Sequence, residues 1–205
     1  MRTNGSGHRR SSESGRPEDH MQGHSLYPGQ LLREHRRYPD ALWGVLWVLG
    51  IAALVILDQW TKWLAVGHLK GSADISLIPG VLELSYLENR GMAFGMLQGQ
   101  RILFIVLCAA FFAALVWLFV RIPKTRYFLP LIATGAVLAA GALGNLIDRA
   151  AQGYVVDFIY ISLIHFPVFN VADIYVVCGG ILLVILALFR YRDEDFDFIF
   201  PGKRR

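Results

Sequence analysis

Four long uncharged runs constrain this chain more than any other feature of its sequence. A helix rises about 1.5 Å per residue, so crossing a hydrocarbon layer about 30 Å thick takes roughly 20 apolar residues. Two of the runs meet this length alone, and the first and fourth reach it only by including an acidic residue at one end. Because backbone groups in lipid must bond internally, each run is predicted to be a helix. The runs are Ala41–Leu57, Ile102–Val120, Tyr127–Ile147 and Ile174–Phe189.

The composition agrees with a membrane protein. Hydrophobic residues make up 55% of the 205 positions and charged residues 18%, whereas soluble domains average about 25% charged residues. The chain therefore lacks the polar surface that a water-facing globule needs. We expect an all-α membrane protein with four transmembrane helices, which cover about 41–64, 100–120, 127–148 and 170–190.

Basic residues predict the orientation. They are frequent before the first run, in the connector 121–126 and after the fourth run, and sparse in the other two connectors. Because positive charge stays on the cytoplasmic side, both termini and the 121–126 connector are predicted to be cytoplasmic. Residues 66–98 and 150–170 then face outward from a multi-pass protein of the cell membrane. No nucleic-acid partner is expected, since the net charge of +4 follows from this topology and no stripe of basic and aromatic residues occurs.

The chain is predicted to divide into a membrane domain and two tails. Residues 1–40 are rich in Gly, Ser, Arg and His without an apolar period, so we expect a disordered cytoplasmic tail. Residues 41–192 form the membrane domain, and residues 193–205 form a cytoplasmic C-terminal tail. In the first outer connector, Leu82, Leu84 and Tyr86 alternate with polar residues, which predicts a short strand over 81–87. In the second outer connector, Val155–Tyr160 is either extended or helical.

Ionisable and amide side chains collect at one end of the predicted bundle. Ionisable residues cost about 2.5–3.5 kcal/mol each at membrane depth and usually mark function. Asp58 and Lys62 are four residues apart, which places them on one helix face. Spacings of three and four do the same in the third and fourth runs, and the predicted topology puts every member near the outer membrane surface. The set is Asp58, Lys62, Asn145, Asp148, Arg149, Asp157, Asn170 and Asp173.

Each member of this set also has a structural interpretation. Asp58 can form an interfacial ion pair with the lysine four residues on, and Arg149 can bond loop carbonyls at a helix end. Asn170 can be an N-cap, and Asp173 can be a carboxylate that the helix macrodipole favours. Asp157 fits such an interpretation least, because its neighbours are apolar and it has no cation nearby in the sequence.

Two carboxylates at a water–lipid boundary can hydrolyse a peptide bond without a covalent intermediate. Held close together, they share a proton, so one can take a proton from water while the other donates one to the substrate. Asp157 and Asp173 are the best candidates, because both face outward and neither has a local cation. No metal or other cofactor is expected, since the histidines are scattered and no His-Glu-x-x-His motif occurs. The absence of a Gly-x-Ser-x-Gly elbow disfavours a serine peptidase.

Five blocks of the sequence resemble, in the same order, those of the lipoprotein signal peptidase (signal peptidase II) family. The resemblance covers about 42–190, and five motifs in register make a chance agreement improbable. The two tails fall outside the motif-bearing region. The blocks are Asp58-Gln59-Trp60-Thr61-Lys62, Asn89-Arg90-Gly91-Met92-Ala93-Phe94, Gly141-Ala142-Leu143-Gly144-Asn145-Leu146-Ile147-Asp148-Arg149, Val155-Val156-Asp157-Phe158 and Phe169-Asn170-Val171-Ala172-Asp173.

The resemblance implies an aspartic endopeptidase that removes signal peptides from diacylglyceryl-modified prolipoproteins, cutting before the lipid-modified cysteine. It also implies a small extracytoplasmic β-cradle beside the four helices, which suits the predicted strand. Its expected partners are these prolipoproteins and membrane lipids, and it is expected to be a monomer. Asp157 and Asp173 are implied as the catalytic pair. The residues implied to bind substrate or support the site are Asp58, Lys62, Asn89, Gly91, Asn145, Asp148, Arg149 and Asn170.

Two other functions stay open on the residues alone. A small proton-coupled transporter or channel subunit also uses intramembrane Asp and Lys. Against it, the carboxylates crowd one membrane face instead of lining a path through the midplane. A non-catalytic assembly or scaffold protein would explain the packing glycines of the third run, but not the outer layer of Asp and Asn side chains.

Overall fold

The computed structural model describes residues 40–91 and 101–199, apart from the side chains of Asp40, Arg101 and Phe104. This part of the chain folds into four long helices and a small antiparallel sheet. Residues 1–39 of the predicted N-terminal tail, residues 92–94 of the second motif and residues 200–205 lie outside the described residues. The helices are α1 Asp40–Leu69, α2 Arg101–Arg121, α3 Leu129–Ala151 and α4 Val171–Phe189.

The helices coincide with the four apolar runs. α1 continues past its predicted end at 64 to Leu69, and α3 begins at Leu129 with Pro130 in its first turn. Proline is tolerated there because the first N–H groups of a helix have no intrahelical partner. Among the described residues, three helical stretches are long and apolar enough to cross a membrane, and the apolar stretch Ile105–Arg121 of α2 is shorter. The three are Ala41–Leu69, Leu129–Ala151 and Val171–Phe189.

α3 lies at the centre of the bundle, in contact with the other three helices. Small residues allow this position, because Ala139 and Ala140 are fully buried and Gly141 lies against the start of α4. A Cβ added at Gly141 would lie 2.6 Å from the carbonyl oxygen of Ala172. Close approach through small residues is common between membrane helices. The outward faces of the helices instead expose large apolar side chains, as surfaces in contact with lipid do.

A three-stranded antiparallel sheet packs against the end of α1. The predicted strand over 81–87 is confirmed as part of β2, the segment 155–160 is a strand, and β1 was not predicted. One face of the sheet meets α1, where Val156 and Phe158 pack with Ala65 and Leu69. This packing holds the strand that carries Asp157 against the helices. The strands are β1 Ile75–Ile78, β2 Leu82–Asn89 and β3 Val155–Tyr160, in the order β1-β2-β3.

The segment that follows α4 packs on the opposite end of the bundle. Phe128, which is fully buried, has its ring centroid 5.5 Å from that of Tyr191 and 5.6 Å from that of Phe198. The hydroxyl of Tyr127 lies 2.8 Å from Oδ2 of Asp195. Residues 193–199 of the expected C-terminal tail therefore lie against the connector between α2 and α3.

Candidate active site

The predicted polar side chains meet where three helices join the sheet. Two of them lie on α1, three lie at the end of α3, and one lies on β3. Of the last two, one lies in the first turn of α4 and the other is the residue just before that helix. Polar groups can be buried at low cost only when they satisfy one another. The least exposed, at 4% or below, are Asp58, Lys62, Asp148, Asp157 and Asn170.

Asp157 accepts an amide hydrogen bond on each carboxylate oxygen. Asn89 Nδ2 donates to Oδ2 at 2.8 Å, and Asn170 Nδ2 donates to Oδ1 at 2.6 Å. Burial, followed by the charge of Asp173, raises the pKa of Asp157 to about 6, against the opposing effect of the two amides and Lys62. Asp157 therefore keeps a proton to higher pH than an ordinary aspartate does.

Asp173 lies in the first turn of α4 and forms a capping box with Asn170. The side-chain oxygen of Asn170 accepts from the backbone N–H of Asp173 at 3.0 Å, and Oδ2 of Asp173 accepts from the backbone N–H of Asn170 at 3.1 Å. Asn145 Nδ2 donates to Oδ1 of Asp173 at 2.8 Å. Asn170 is thus an N-cap, as its structural interpretation predicted, and the same side chain also binds Asp157.

Two asparagines connect the carboxylates to each other and to a cation. Oδ1 of Asn145 lies 3.2 Å from Nδ2 of Asn170 and accepts from Nζ of Lys62 at 3.0 Å. An ammonium group can only donate hydrogen bonds. Lys62 therefore fixes the orientation of the Asn145 amide, so that its nitrogen faces Asp173.

A buried ion network supports these amides. Nζ of Lys62 lies 2.9 Å from Oδ2 of Asp58 and 3.0 Å from Oδ2 of Asp148. Asp58 accepts from the backbone N–H of Ala172 at 2.9 Å, and Asp148 accepts from the backbone N–H of Val156 at 3.1 Å. The ion pair expected from the 58/62 spacing is present. In addition, the network fastens α4 and β3, which carry Asp173 and Asp157, to α1 and α3.

The other two predicted residues lie at the edge of the site. Arg149 donates from its guanidinium to the carbonyl oxygen of Asn145, one turn earlier in α3, at 3.5 Å. The backbone N–H of Gly91 donates to Oδ1 of Asn89 at 3.1 Å. Because this contact occupies the amide oxygen of Asn89, the amide nitrogen is directed at Asp157.

The geometry permits acid–base chemistry by a coupled pair of carboxylates. Close carboxylates do not both ionise, so one of them keeps a proton while the other is a base. Burial and the charge of Asp173 both raise the pKa of Asp157, so the protonation of Asp157 depends on that of Asp173. A site of this kind offers a proton donor and a proton acceptor to the same bond.

Comparison with known proteins decides the family. The sequence model described as Signal peptidase (SPase) II matches residues 50–189, more than half of the chain. The chain belongs to the signal peptidase II family. It is a membrane-embedded peptidase that removes signal peptides from prolipoproteins. The transporter and the scaffold are therefore set aside as functions of this signal peptidase II.

Relatives named lipoprotein signal peptidase agree with the assignment. One from Symbiobacterium thermophilum is 44% identical over 144 residues, which are 69% of this chain and 93% of that protein. One from Acinetobacter baumannii (strain ATCC 17978) is 42% identical over 169 residues, 78% of this chain and 92% of that protein. Two solved structures, both described as a bacterial membrane enzyme, have TM-scores of 0.63 and 0.65 at 31% and 33% identity. They cover 83% and 77% of this chain, and 97% and 99% of their own chains.

One residue of this signal peptidase II site was not predicted. Nε2 of Gln59 lies 2.9 Å from Oδ1 of Asp148, and 3.2 Å from both Oδ2 of Asp58 and the carbonyl oxygen of Gly144. Gln59 therefore joins α1 to α3 beside the buried ion network. The signal that could have identified it is an amide at the end of an apolar run, next to an aspartate.

Proposed function

We propose that the chain cleaves prolipoproteins as an aspartic endopeptidase, with Asp157 and Asp173 as the catalytic pair. The observation that carries the proposal is the contact made by Asn170, which donates to Asp157 at 2.6 Å and forms the capping box with Asp173. One side chain thereby links the two carboxylates. The deep burial of Asp157, which is 1% exposed, adds support. Burying a carboxylate costs free energy, and such residues are rarely retained without a role.

In this mechanism Asp157 carries the proton and Asp173 is ionised. With a pKa of about 6, Asp157 keeps its proton below about pH 6, and the carboxylate of Asp173 accepts hydrogen bonds from the Asn145 amide and from the backbone N–H of Asn170. Asp173 removes a proton from water, the water oxygen attacks the scissile carbonyl carbon, and Asp157 protonates the carbonyl oxygen. The carbon–nitrogen bond then breaks as Asp173 protonates the leaving nitrogen, and a hydroxyl of the intermediate returns a proton to Asp157. One water is consumed and both carboxyl groups regain their initial protonation.

The substrate in this proposal is diacylglyceryl-modified and is cut before the lipid-bearing cysteine. Trp60 and Trp63, on either side of Lys62 along α1, are 55% and 68% exposed. Because tryptophan is enriched at the membrane–water interface, these side chains favour a site at the depth where a lipid-anchored peptide leaves the membrane. Acyl chains that lie against the apolar helices contribute roughly 0.8 kcal/mol per buried methylene. This remote binding energy positions the scissile bond.

The proposed topology has four spans in the cytoplasmic membrane and both termini in the cytoplasm. α2 is the fourth span, because its 21 residues give a length of about 30 Å. Arg121 and Arg126 lie at the end of the bundle opposite the carboxylate pair, which favours an extracytoplasmic site. Residues 41–192 are the peptidase domain between cytoplasmic tails at 1–40 and 193–205. The enzyme acts as a monomer, since one chain supplies both carboxylates and their amide partners.

The test of the mechanism replaces each carboxylate by its isosteric amide. Purified Asp157→Asn and Asp173→Asn should fail to shorten a diacylglyceryl-modified precursor in a gel-shift assay, while they accumulate in the membrane at normal abundance. Asp74→Asn is the matched control, because Asp74 is an exposed aspartate between α1 and β1. Near-normal turnover by either of the first two variants would remove that residue from the mechanism. The wild-type enzyme should stay active with a chelator present, and a requirement for added metal would reject the aspartic pair.

Two further measurements test the substrate and the orientation. The same precursor with a free cysteine thiol should be cut slowly or not at all, and equal cleavage of both precursors would reject the lipid-dependent mechanism. Cysteines placed at Lys70 and Arg126, which are both exposed, should react with a membrane-impermeant reagent from the outside and the inside, respectively. An outward-facing position 126 would contradict the proposed topology.

A further inference from the structure

Leu87 differs from every other residue of β2 in its surroundings. It is the one exposed position in the strand, at 44%, while the other seven residues are half-buried. Leu84 and Tyr86 of the same strand pack on the apolar cluster between the sheet and α1, and Leu87 is not part of that cluster. Packing of the sheet therefore does not explain a leucine at this position.

The strand register places Leu87 beside the buried carboxylate of the site. Leu87 is the direct partner of Asp157 in the antiparallel pair of β2 and β3. Partners of this kind project from the same face of a sheet, with Cβ atoms about 4.5–5.5 Å apart. Asn89, two residues further along β2 and on the same face, donates to Asp157 at 2.8 Å. Leu87 and Asn89 thus flank Asp157 on one strand.

An irregularity in the ladder produces this arrangement. The pairing between β2 and β3 shifts between Leu84, which faces Ile159, and Leu87, which faces Asp157. Such a shift redirects the side chains that follow it. Without it, a different residue of β2 would stand opposite Asp157, so the irregularity is what brings an apolar, solvent-accessible side chain to the carboxylate.

We infer that Leu87 is a specificity-determining residue, which forms the wall of the subsite for the substrate side chain just before the scissile bond. The inference rests on the proposed roles of Asp157 and Asp173. The lipid-bearing cysteine follows the scissile bond, and its acyl chains lie with the helices. Since Asp173 belongs to a helix and Asp157 to the sheet, a peptide between them presents the acylated residue to α4. The residue before the bond then faces β2 and β3.

The wall limits the size of the side chain that this subsite accepts. An isobutyl group close to Asp157 fills space that a β-branched substrate residue would need, so the enzyme favours a small residue there. A change of one or a few methylene groups in an apolar subsite alters the ratio of kcat/KM values by roughly tenfold or more. Leu87→Ala should enlarge the subsite and Leu87→Phe should narrow it, so the two variants should change the preference in opposite directions.

The experiment compares diacylglyceryl-modified precursors that carry alanine or valine just before the modified cysteine. We expect Leu87→Ala to lower the alanine-to-valine ratio of kcat/KM roughly tenfold relative to the wild type, and Leu87→Phe to raise it. Leu77→Ala is the matched control, because Leu77 is an exposed leucine of β1, at 52%, and should leave the ratio unchanged. If Leu87→Ala does not fold, Leu87→Phe alone decides the result.

An unchanged ratio in the folded Leu87 variants would overturn the inference. Equal changes in Leu77→Ala would also overturn it, since the effect would then belong to the sheet in general. Asp157→Asn is assayed on the alanine precursor in parallel. Loss of cleavage there with an unchanged ratio in the Leu87 variants refutes only the subsite, whereas full activity of Asp157→Asn refutes the catalytic proposal itself.

Discussion

Replacing Gly144 by alanine tests whether the buried ion network positions the proposed catalytic pair. A Cβ at this position would lie 2.5 Å from Oδ2 of Asp58, 3.1 Å from its Cγ and 3.3 Å from Cβ of Ala172. Ordinary van der Waals contact begins at 3.4 Å, so the Asp58 carboxylate would have to retreat by about 1 Å. Gly144 is therefore a position where α1 and α3 leave no room for a methyl group.

Asp58 is not free to make that movement. Its carboxylate lies 2.9 Å from Nζ of Lys62 and accepts from the backbone N–H of Ala172 at 2.9 Å. Overpacking a tight interior costs about 1–3 kcal/mol. Because Ala172 precedes Asp173, a displaced Asp58 also shifts the start of α4, and a misplacement of about 1 Å can cost about 100-fold in rate. We expect Gly144→Ala to unfold at lower temperature and to cleave about 100-fold more slowly.

Gly135→Ala is the control on the same helix. A Cβ at Gly135 would have no heavy atom within 4 Å, and alanine is favoured over glycine in a helix by about 1 kcal/mol. This variant should keep its activity and its stability, or gain stability. The assays are the initial rate of precursor cleavage and the thermal unfolding temperature in detergent. A Gly144→Ala enzyme with the wild-type rate and unfolding temperature would refute the reasoning, because the ion network would then tolerate displacement.

Four further predictions concern charge at or beside the site. The pKa of Asp157 is about 6, so the proton that it carries is lost as the pH rises, and kcat/KM should fall above about pH 6. Asn89 lowers this pKa, so Asn89→Ala should move the descending limb of the pH–rate profile to higher pH, and an unmoved limb would contradict the assignment. Lys62→Met leaves two buried carboxylates without their cation and should cost about 3–5 kcal/mol in denaturant unfolding. A variant of wild-type stability would contradict this expectation. Glu88→Gln breaks ion pairs with cations that are 51% and 66% exposed and should change rate and stability little, whereas a large loss of rate would mean that these pairs position Asn89.

The four long helices could be predicted because the length of an apolar run is a local property. Each run matches a helix to within a few residues, and the largest difference is at the end of α1, which continues to Leu69. There the chain is amphipathic, since Ala65 and Leu69 are buried under the sheet while intervening residues are exposed. The sequence of β1, Ile75–Ile78, has only four residues and no sustained alternation, so its pairing with β2 depends on the neighbouring strand.

The polar set could be predicted from the free-energy cost of placing ionisable side chains at membrane depth, because such side chains are rarely retained without a role. The structure brings all of its members together at one end of the bundle, and their catalytic and supporting roles stay predictions until the variants are assayed. Gln59 could not be predicted in the same way, because placing a neutral amide at a helix end costs little free energy. Its three contacts, to Asp58, Asp148 and the Gly144 carbonyl, exist only because α1 packs on α3.

The sequence by itself determined which segments are long apolar helices, which residues are too polar to be there by chance, and that Asp58 and Lys62 share a face. These properties depend on neighbours within one or two helical turns. The tertiary structure decided that Lys62 also pairs with Asp148 and orients Asn145, contacts between residues more than 80 positions apart. It decided as well that Leu87 stands opposite Asp157, through a shift in strand register. Helix contact distances and strand register follow from the packing of whole elements, and no local sequence pattern encodes them.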